Sequence, residues 1–486
     1  MKLLSFEQVN AFSKEYSFVP VSQEVYCDMM TPISLMRKLA EKSEHYFLLE
    51  SVVNGKDIGR YSFLGYDPRM RVYCKDKKVF YCVNNETKQL EGEPIQVMKR
   101  FIKEYRAPKI EGLPTFAGGF VGYFSYEMIS LAEPKLVIKE SEFPQFDLMF
   151  YDRVIAFDHL KQKVCIIANV ELEKGRAAYE AALKDIERMA KEVVDQMPIK
   201  KCIAQEKVEF SCNMSKEQFC NMVNQVKAHI KEGDVFQTVV SRRFEADYES
   251  SLINTYRVMR TINPSPYMYY LKSQDIEIAG VSPETLVKLI DGTLTTFPVA
   301  GTRKRGDTVQ EDKKLEIELL QDPKELAEHN MLVDLARNDI GRLSELGSVK
   351  VEEYMQIHRF SKVMHIASVV TGRLREDKDA MDTITTMLPA GTLSGAPKFR
   401  ACELIDELEQ DPRGVYAGAI GYLDMSGNAD VCIGIRTAVK KDNKVYVQAG
   451  AGIVADSDPE EEYEESYNKA KAVLEAIMKA SEVNGL

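Results

Sequence analysis

Tryptophan is absent from this chain and histidine is scarce, with six in 486 residues. No two of the histidines stand at a zinc-like spacing, which argues against a histidine-built metal centre. The nine cysteines are Cys27, Cys74, Cys82, Cys165, Cys202, Cys212, Cys220, Cys402 and Cys432, and none forms a Cys-x-x-Cys pair. Their number is odd and a chain of this length needs no covalent staples, so they read as reduced thiols of a cytoplasmic protein. No run approaches the roughly 18 apolar residues of a membrane span, and the opening MKLLSFEQVNAF turns polar too early for a signal peptide. A basic tract is missing as well: 64 Lys and Arg lie interspersed among 75 Asp and Glu, for a net charge of −11. Nucleic acid and anionic membrane are therefore not expected as partners.

What is present is the composition of a globular protein, 45% hydrophobic and 29% charged, long enough for two or three domains. Thr31-Pro32 starts a helix as N-cap and first helical residue. Strands are expected at 45–51, 60–66, 70–75 and 78–83, a helix at 94–105, and a Gly-rich strand at 116–127. The runs DLMFYDRVIAFD and KVCIIANVEL are parted by a short polar turn and read as an antiparallel hairpin. A charged helix at 174–195 and a polar stretch to 207 mark a boundary, dividing the chain into regions 1–207 and 208–486, expected to pack intimately. The second region opens with Ser215-x-x-Gln218, a capping box for a helix that runs to Gly233. Strands then dominate, broken by two helices over 308–340 that part at Pro323, a helix at 397–409 and a closing helix after Pro459. Consecutive strands without helices between them imply an α+β fold of largely antiparallel sheets, packed as a sandwich with outer helices.

Two helices carry carboxylates on an apolar stripe. After Pro459, Glu462, Glu465 and Lys469 fall at i, i+3 and i+7, in line with Ala472, Val473 and Ala476. After Pro323, Glu325 and Glu328 share a face with Leu332, Leu335 and Ala336. Burying ionised acids is costly without a cation. Either the two helices jointly hold a hard cation such as Mg²⁺, or they form a surface ion-pair network. Glycines at 450 and 452 let backbone N–H groups approach a ligand. The small-residue loop 388–398, which includes Thr392 and Lys398, enters a helix at Pro397. It is either an anion loop or a plain turn; its Gly–Lys spacing rules out a Walker loop. Gly301-Thr302 forms a second such turn. Arg436, placed on a half-buried strand, is either a snorkelling side chain or a fork for a carboxylate. His365 lies in a strand and is either a satisfied core group or a proton carrier.

Taken in order, GVSPETL, PVAGTRKRG, ELAEHNMLVDLARNDIGR, LPAGTLSGAPK, VYAGAIGY, IGIRTA and QAGAGIVADSDPEEEYEES closely resemble the chorismate-utilising enzymes, and among them the large subunits of anthranilate synthases. LLES at 48–51 and IGRYSFLG at 58–65 resemble the regulatory half of those subunits, so the likeness covers nearly the whole chain. The resemblance implies a Mg²⁺-dependent lyase that converts chorismate and ammonia to anthranilate and pyruvate, the first committed step of tryptophan biosynthesis. By the same resemblance Glu328 and Glu465 ligate the metal, with Glu325 and Glu462 nearby. Gly301, Thr302, Thr392, Tyr416, Arg436, Gly450, Ala451, Gly452 and Lys469 are implied to line the substrate. Glu284 is implied to protonate the departing hydroxyl, and His365 to serve pyruvate elimination. Ser51, Arg60, Pro266, Tyr267 and Met268 are implied to form a feedback site for L-tryptophan.

Two positions separate relatives. Water-adding members resemble one another in a lysine base where this chain has Gln237, and glutamine cannot deprotonate water. Many aminodeoxychorismate synthases place a nucleophilic lysine where this chain has Ala300. Both therefore suggest ammonia as the nucleophile. Ammonia is normally delivered by a glutaminase, and no nucleophilic-cysteine elbow stands in this chain. A separate glutamine amidotransferase subunit is thus implied, in a heterotetramer of two large and two small chains. The alternatives are the large subunit of an aminodeoxychorismate synthase and a non-catalytic chorismate- or tryptophan-binding regulator.

Overall fold

In a computed structural model, which describes residues 3–27, 29–51, 59–84, 86–195, 199–359 and 363–484, the chain builds two twelve-stranded sheets. Every ladder between the described strands is antiparallel. Both sheets run across the 207/208 boundary. Tyr46–Glu50 pairs with Tyr267–Ser273 in the first sheet, and Gly119–Phe124 pairs with Ala419–Asp424 in the second.

Period-two alternation gives each sheet two apolar faces, and three cores cover them. Phe47, Phe63 and Ile278 of the first sheet meet Val121, Met149 and Ile420 of the second in the central layer. The outer face of the first sheet packs under helices Pro32–Leu39, Gly175–Val194, Ile253–Ile262 and Pro459–Met478. The outer face of the second packs under Pro94–Glu104, Pro323–Gly341, Ala380–Met387 and Lys398–Leu408. The expected sandwich with outer helices is what forms. No helix among the described residues is long and apolar enough to cross a membrane.

The helix starts follow the sequence. Thr31 and Ser215 close capping boxes with Ser34 and Gln218, and Gly233 ends its helix in the left-handed region at φ 86°. Asp322 and Asp458 cap the two helices that begin at Pro323 and Pro459.

Three expectations need correction. DLMFYDRVIAFD is not one strand: Phe146–Tyr151 belongs to the second sheet and Arg153–Asp158 to the first, and the chain passes between sheets at Asp152. Only its second half makes the expected hairpin with Lys163–Glu171. Helices Ile253–Ile262 and Ala380–Met387 lie where none was expected; Tyr256 and Met259 of the first are buried in the core, so packing overrides a sequence rich in Thr, Tyr and Ile. Arg436 lies on no strand. It stands in the left-handed region at φ 52°, between Ala429–Ile433 of one sheet and Thr437–Lys441 of the other.

Candidate active site

Two neighbouring strand pairs change sheet side by side, and the break places two functional side chains. Ile276–Ser282 runs in the first sheet and Thr285–Ile290 in the second, with Glu284 in the passage between them. Ala429–Ile433 and Thr437–Lys441 cross the other way, with Arg436 in their passage. The crossings are stitched by Ile433 N donating to Glu284 O at 3.0 Å and Val281 N donating to Arg436 O at 3.2 Å. Beneath them opens a cavity of about 700 Å³.

Both carboxylate helices face this cavity. Glu328 comes from Pro323–Gly341, and Glu462, Glu465 and Lys469 from Pro459–Met478. Partial desolvation at the cavity wall holds the Glu328 carboxyl above the usual range, helped by the charges of Glu325 and Glu465, although the residue stays exposed to solvent. Glu462 is raised by burial and by Glu465. Lys469 offsets part of this, its Nζ lying 2.6 Å from Glu465 Oε1 and 3.2 Å from Gly450 O. Glu328, Glu462 and Glu465 share the cavity wall with Lys324, Arg436 and Lys469, and their hard oxygen donors are of the kind that suits Mg²⁺. Glu325 is turned aside: Arg303 pairs with it at 3.0 Å and with Asp322 at 2.7 Å.

Glu284 lines the cavity half-buried, and desolvation there raises its carboxyl to about 7. Thr392 Oγ1 donates to Glu284 Oε1 at 2.7 Å, so the 388–398 loop serves as more than a turn. His365 lines the opposite side. Its Nδ1 lies 2.9 Å from Thr302 Oγ1 and 3.2 Å from Gly301 O, and burial lowers its pKa, so the ring is neutral at physiological pH. With Nδ1–H donating to the Gly301 carbonyl, Nε2 is the basic nitrogen. Gly301 earns its place through its backbone: at φ 70° it is the extra residue of a bulge that sets Thr302 opposite His365.

Gly450 and Gly452 lie on Lys444–Ile453, paired with Val239 and Ser241 as Gly452↔Val239 and Gly450↔Ser241. The Gly450 carbonyl points out of that ladder to Lys469, and in an antiparallel pair the N–H of a residue points the same way as its carbonyl. Ala451 is corrected by the same alternation, since it is fully buried on the far side against Phe219 and Met222. Tyr416 lines the cavity with its phenol pushed up by burial. Arg436 also lines it, and its NH1 donates to Lys469 O at 2.5 Å. Lys398 points elsewhere, pairing with Asp339 at 2.9 Å. Lys324, Gln448 and Ser457 line the cavity without having been expected there; Gln448 and Ser457 lie inside the QAGAGIVADSDPEE stretch that signalled the site. Gln237 and Ala300, the two discriminating positions, both face the cavity.

The positions expected to bind tryptophan are spread more widely. Met268 pairs with Glu50 across adjacent strands, which sets Ser51 beside Tyr267. The Ser51 hydroxyl is buried and finds no hydrogen-bond partner among the described residues. Pro266 reaches the rim of the cavity, whereas Tyr267 donates to Asp430 at 2.7 Å and Met268 is core. Arg60 forks onto Asp158, with NH2 to Oδ2 at 2.9 Å. Residue 58 of the IGRYSFLG stretch lies outside the described residues.

The family profile of chorismate binding enzymes matches residues 44–475. Anthranilate synthase component 1 of Acetivibrio thermocellus is 46% identical over 99% of this chain and 99% of its own length. The protein of that name from Aquifex aeolicus is 44% identical over 99% and 98%. The crystal structure of anthranilate synthase component I from Streptococcus pneumoniae superposes with a TM-score of 0.78 at 39% identity, covering 87% of this chain and 94% of that one. The chain belongs to the chorismate-binding enzymes and, within them, to the group of anthranilate synthase component 1.

Proposed function

We propose that the chain is the chorismate-converting subunit of an anthranilate synthase, joining chorismate and ammonia to give anthranilate, pyruvate and water. The observation that carries the reading is the Glu284 carboxyl, raised by desolvation to about 7 and hydrogen-bonded to Thr392 in the cavity that His365 shares. A carboxyl protonated near neutrality can give its proton to the ring hydroxyl, which leaves as water when ammonia adds to the ring. Ammonia brings its own lone pair, so Gln237 and Ala300, neither of them a base or nucleophile, suffice where they stand. Neutral His365 can take the ring proton as the aminated intermediate aromatises and pass it to the methylene of the departing enolpyruvyl group, which leaves as pyruvate. Arg436, Lys469 and the outward N–H groups of Gly450 and Gly452 meet the substrate's carboxylates.

Glu328 and Glu465, with Glu462, would hold Mg²⁺. Bound there, the ion supplies positive charge against a dianionic substrate. Ammonia is taken from a separate glutamine amidotransferase subunit, in a heterotetramer of two large and two small chains. L-tryptophan bound near Ser51 and 266–268 closes the feedback loop.

The test is direct. Chorismate, Mg²⁺ and excess ammonium salt are supplied to the isolated chain and anthranilate fluorescence is followed. Fluorescence with equimolar pyruvate is expected. Accumulation of an aminated, non-aromatic product, or chorismate left unconsumed, would overturn the reading.

A further inference from the structure

Behind the cavity wall lies an ion pair that the reaction does not touch. Arg413 and Glu409 are 1% and 5% exposed and are joined at 2.6 Å. Arg413 NE also donates to Glu409 Oε2 at 2.9 Å, which completes a two-point fork. The remaining donors of Arg413 go to two backbone carbonyls: NH1 to Leu393 O at 2.6 Å and NH2 to Val239 O at 2.8 Å. Leu393 follows Thr392, the residue that donates to Glu284, and Val239 lies two residues after Gln237 on the same strand. Glu409 Oε1 accepts from Ser241 N at 2.7 Å and from Ser241 Oγ at 2.8 Å. Gln448 Nε2 in turn donates to Ser241 Oγ at 2.8 Å, so the strand that carries Gly450 and Gly452 joins the same network. The pair thus ties together three segments that wall the cavity, the guanidinium holding two directly and Glu409 reaching the third through Ser241 and Gln448.

We infer that Arg413, held by Glu409, is a positioning residue for the reaction: through Leu393 O it fixes the turn that presents the Thr392 hydroxyl to Glu284. This rests on the reading of Glu284 as the acid. A structural pair alone would be served by any segments it happened to join. Here its bonds converge on the turn and the strands that supply Thr392, Gln237 and the 450–452 backbone. Lysine in place of Arg413 keeps the charge but cannot reach both carbonyls and the carboxylate. Released from its anchor, Thr392 would donate more weakly to Glu284. That donation lowers the carboxyl's pKa, as does the Lys469 charge, the other group acting on it. Its loosening therefore moves the carboxyl upward.

The experiment compares Arg413→Lys, Glu409→Gln and Thr392→Val in the full chain, with rates expressed per free ammonia. For Arg413→Lys, kcat should fall about tenfold or more with KM for chorismate within about twofold, as expected for misplacement of a catalytic group. The alkaline limb of its pH profile should move to higher pH. Thr392→Val should displace the limb in the same direction, and the double variant no further, because both act through one bond. An unmoved limb in folded Arg413→Lys, or additive displacements, would overturn the inference. So would loss of folding in both Arg413→Lys and Glu409→Gln, which would make the pair structural. Glu284→Gln separates the two readings: if that variant keeps the limb, the acid assignment fails. If it loses the limb while Arg413→Lys does not shift it, only the positioning role fails.

Discussion

On the proposed mechanism, one proton on Glu284 decides the rate. Its folded pKa is raised from 4.5 to about 7, so the protonated, donating form prevails below that pH and is lost above it. The free enzyme's kcat/KM for chorismate, corrected for free ammonia, should therefore fall as pH climbs through about 7. The stability contribution has the same sign: a carboxyl with a raised folded pKa adds stability fully below 4.5 and loses it as pH rises through about 7. Glu284→Gln should lower kcat by roughly 10²–10⁴-fold, the range of general acid catalysis. His365→Ala is expected to keep consuming chorismate while anthranilate fluorescence drops and the aminated intermediate accumulates in chromatography. Normal anthranilate formation would remove His365 from the step. Both residues stand in distinctive motifs, SPET and KVMHIASVV, and the structure sets both beside one cavity. Ala451 was not legible, because a motif gives no phase. Only the alternation of a settled strand shows that 450 and 452 face the ligand while 451 faces Phe219. Glu325, expected only near the ligand pair, lies close enough for its charge to raise Glu328, while Arg303 from a distant strand pairs with it at 3.0 Å.

Helices were easier to read than strands, since caps are local. Asp458 and Asp322 accept from the first free N–H groups of their helices, and Pro at the next position costs no hydrogen bond. A strand that changes sheet leaves no such mark, because its apolar run continues through the passage. That is why Asp152, the 283–284 passage and the Arg436 turn were hidden, although two of them build the active site. Lys444–Ile453 offers a test of how tightly these elements are set. A Cβ on Gly450 would stand 2.3 Å from Val240 O, a backbone atom that cannot rotate away. Gly450→Ala should therefore push the strand off Gln237–Asp247, lowering the melting temperature by several degrees and raising KM for chorismate. A variant with wild-type Tm and KM would show that the strand has slack.

At the scale of the whole molecule, the order of strands in the two sheets was out of reach, because pairing such as Met268 with Glu50 spans more than two hundred residues and leaves no trace in local periodicity. That pairing places the buried Ser51 hydroxyl beside Tyr267, the first residue of a strand whose preceding segment, 263–266, lines the candidate site's cavity. Ser51→Phe should relieve inhibition by tryptophan and leave uninhibited turnover near normal, and retained inhibition would exclude Ser51 from that site. The metal reading has a consequence of the same reach. Glu465 belongs to a helix packed on the first sheet, and Glu328 to one packed on the second. An ion shared by the two would clamp the layers of the sandwich to each other, so its binding should register as stability of the entire fold. With chorismate present and ammonia withheld, Mg²⁺ at about 100 times its Kd should stabilise the chain by about 2.7 kcal/mol, seen as a rise in Tm. EDTA should remove both that rise and the activity, and restored Mg²⁺ should return them. Glu328→Gln and Glu465→Gln should each lose the Mg²⁺-dependent rise while keeping the metal-free Tm, since either change also relieves repulsion between the carboxylates. A Tm that ignores Mg²⁺ in the unaltered chain would remove the ion from between the two helices and leave Lys469 as the counter-charge of that wall.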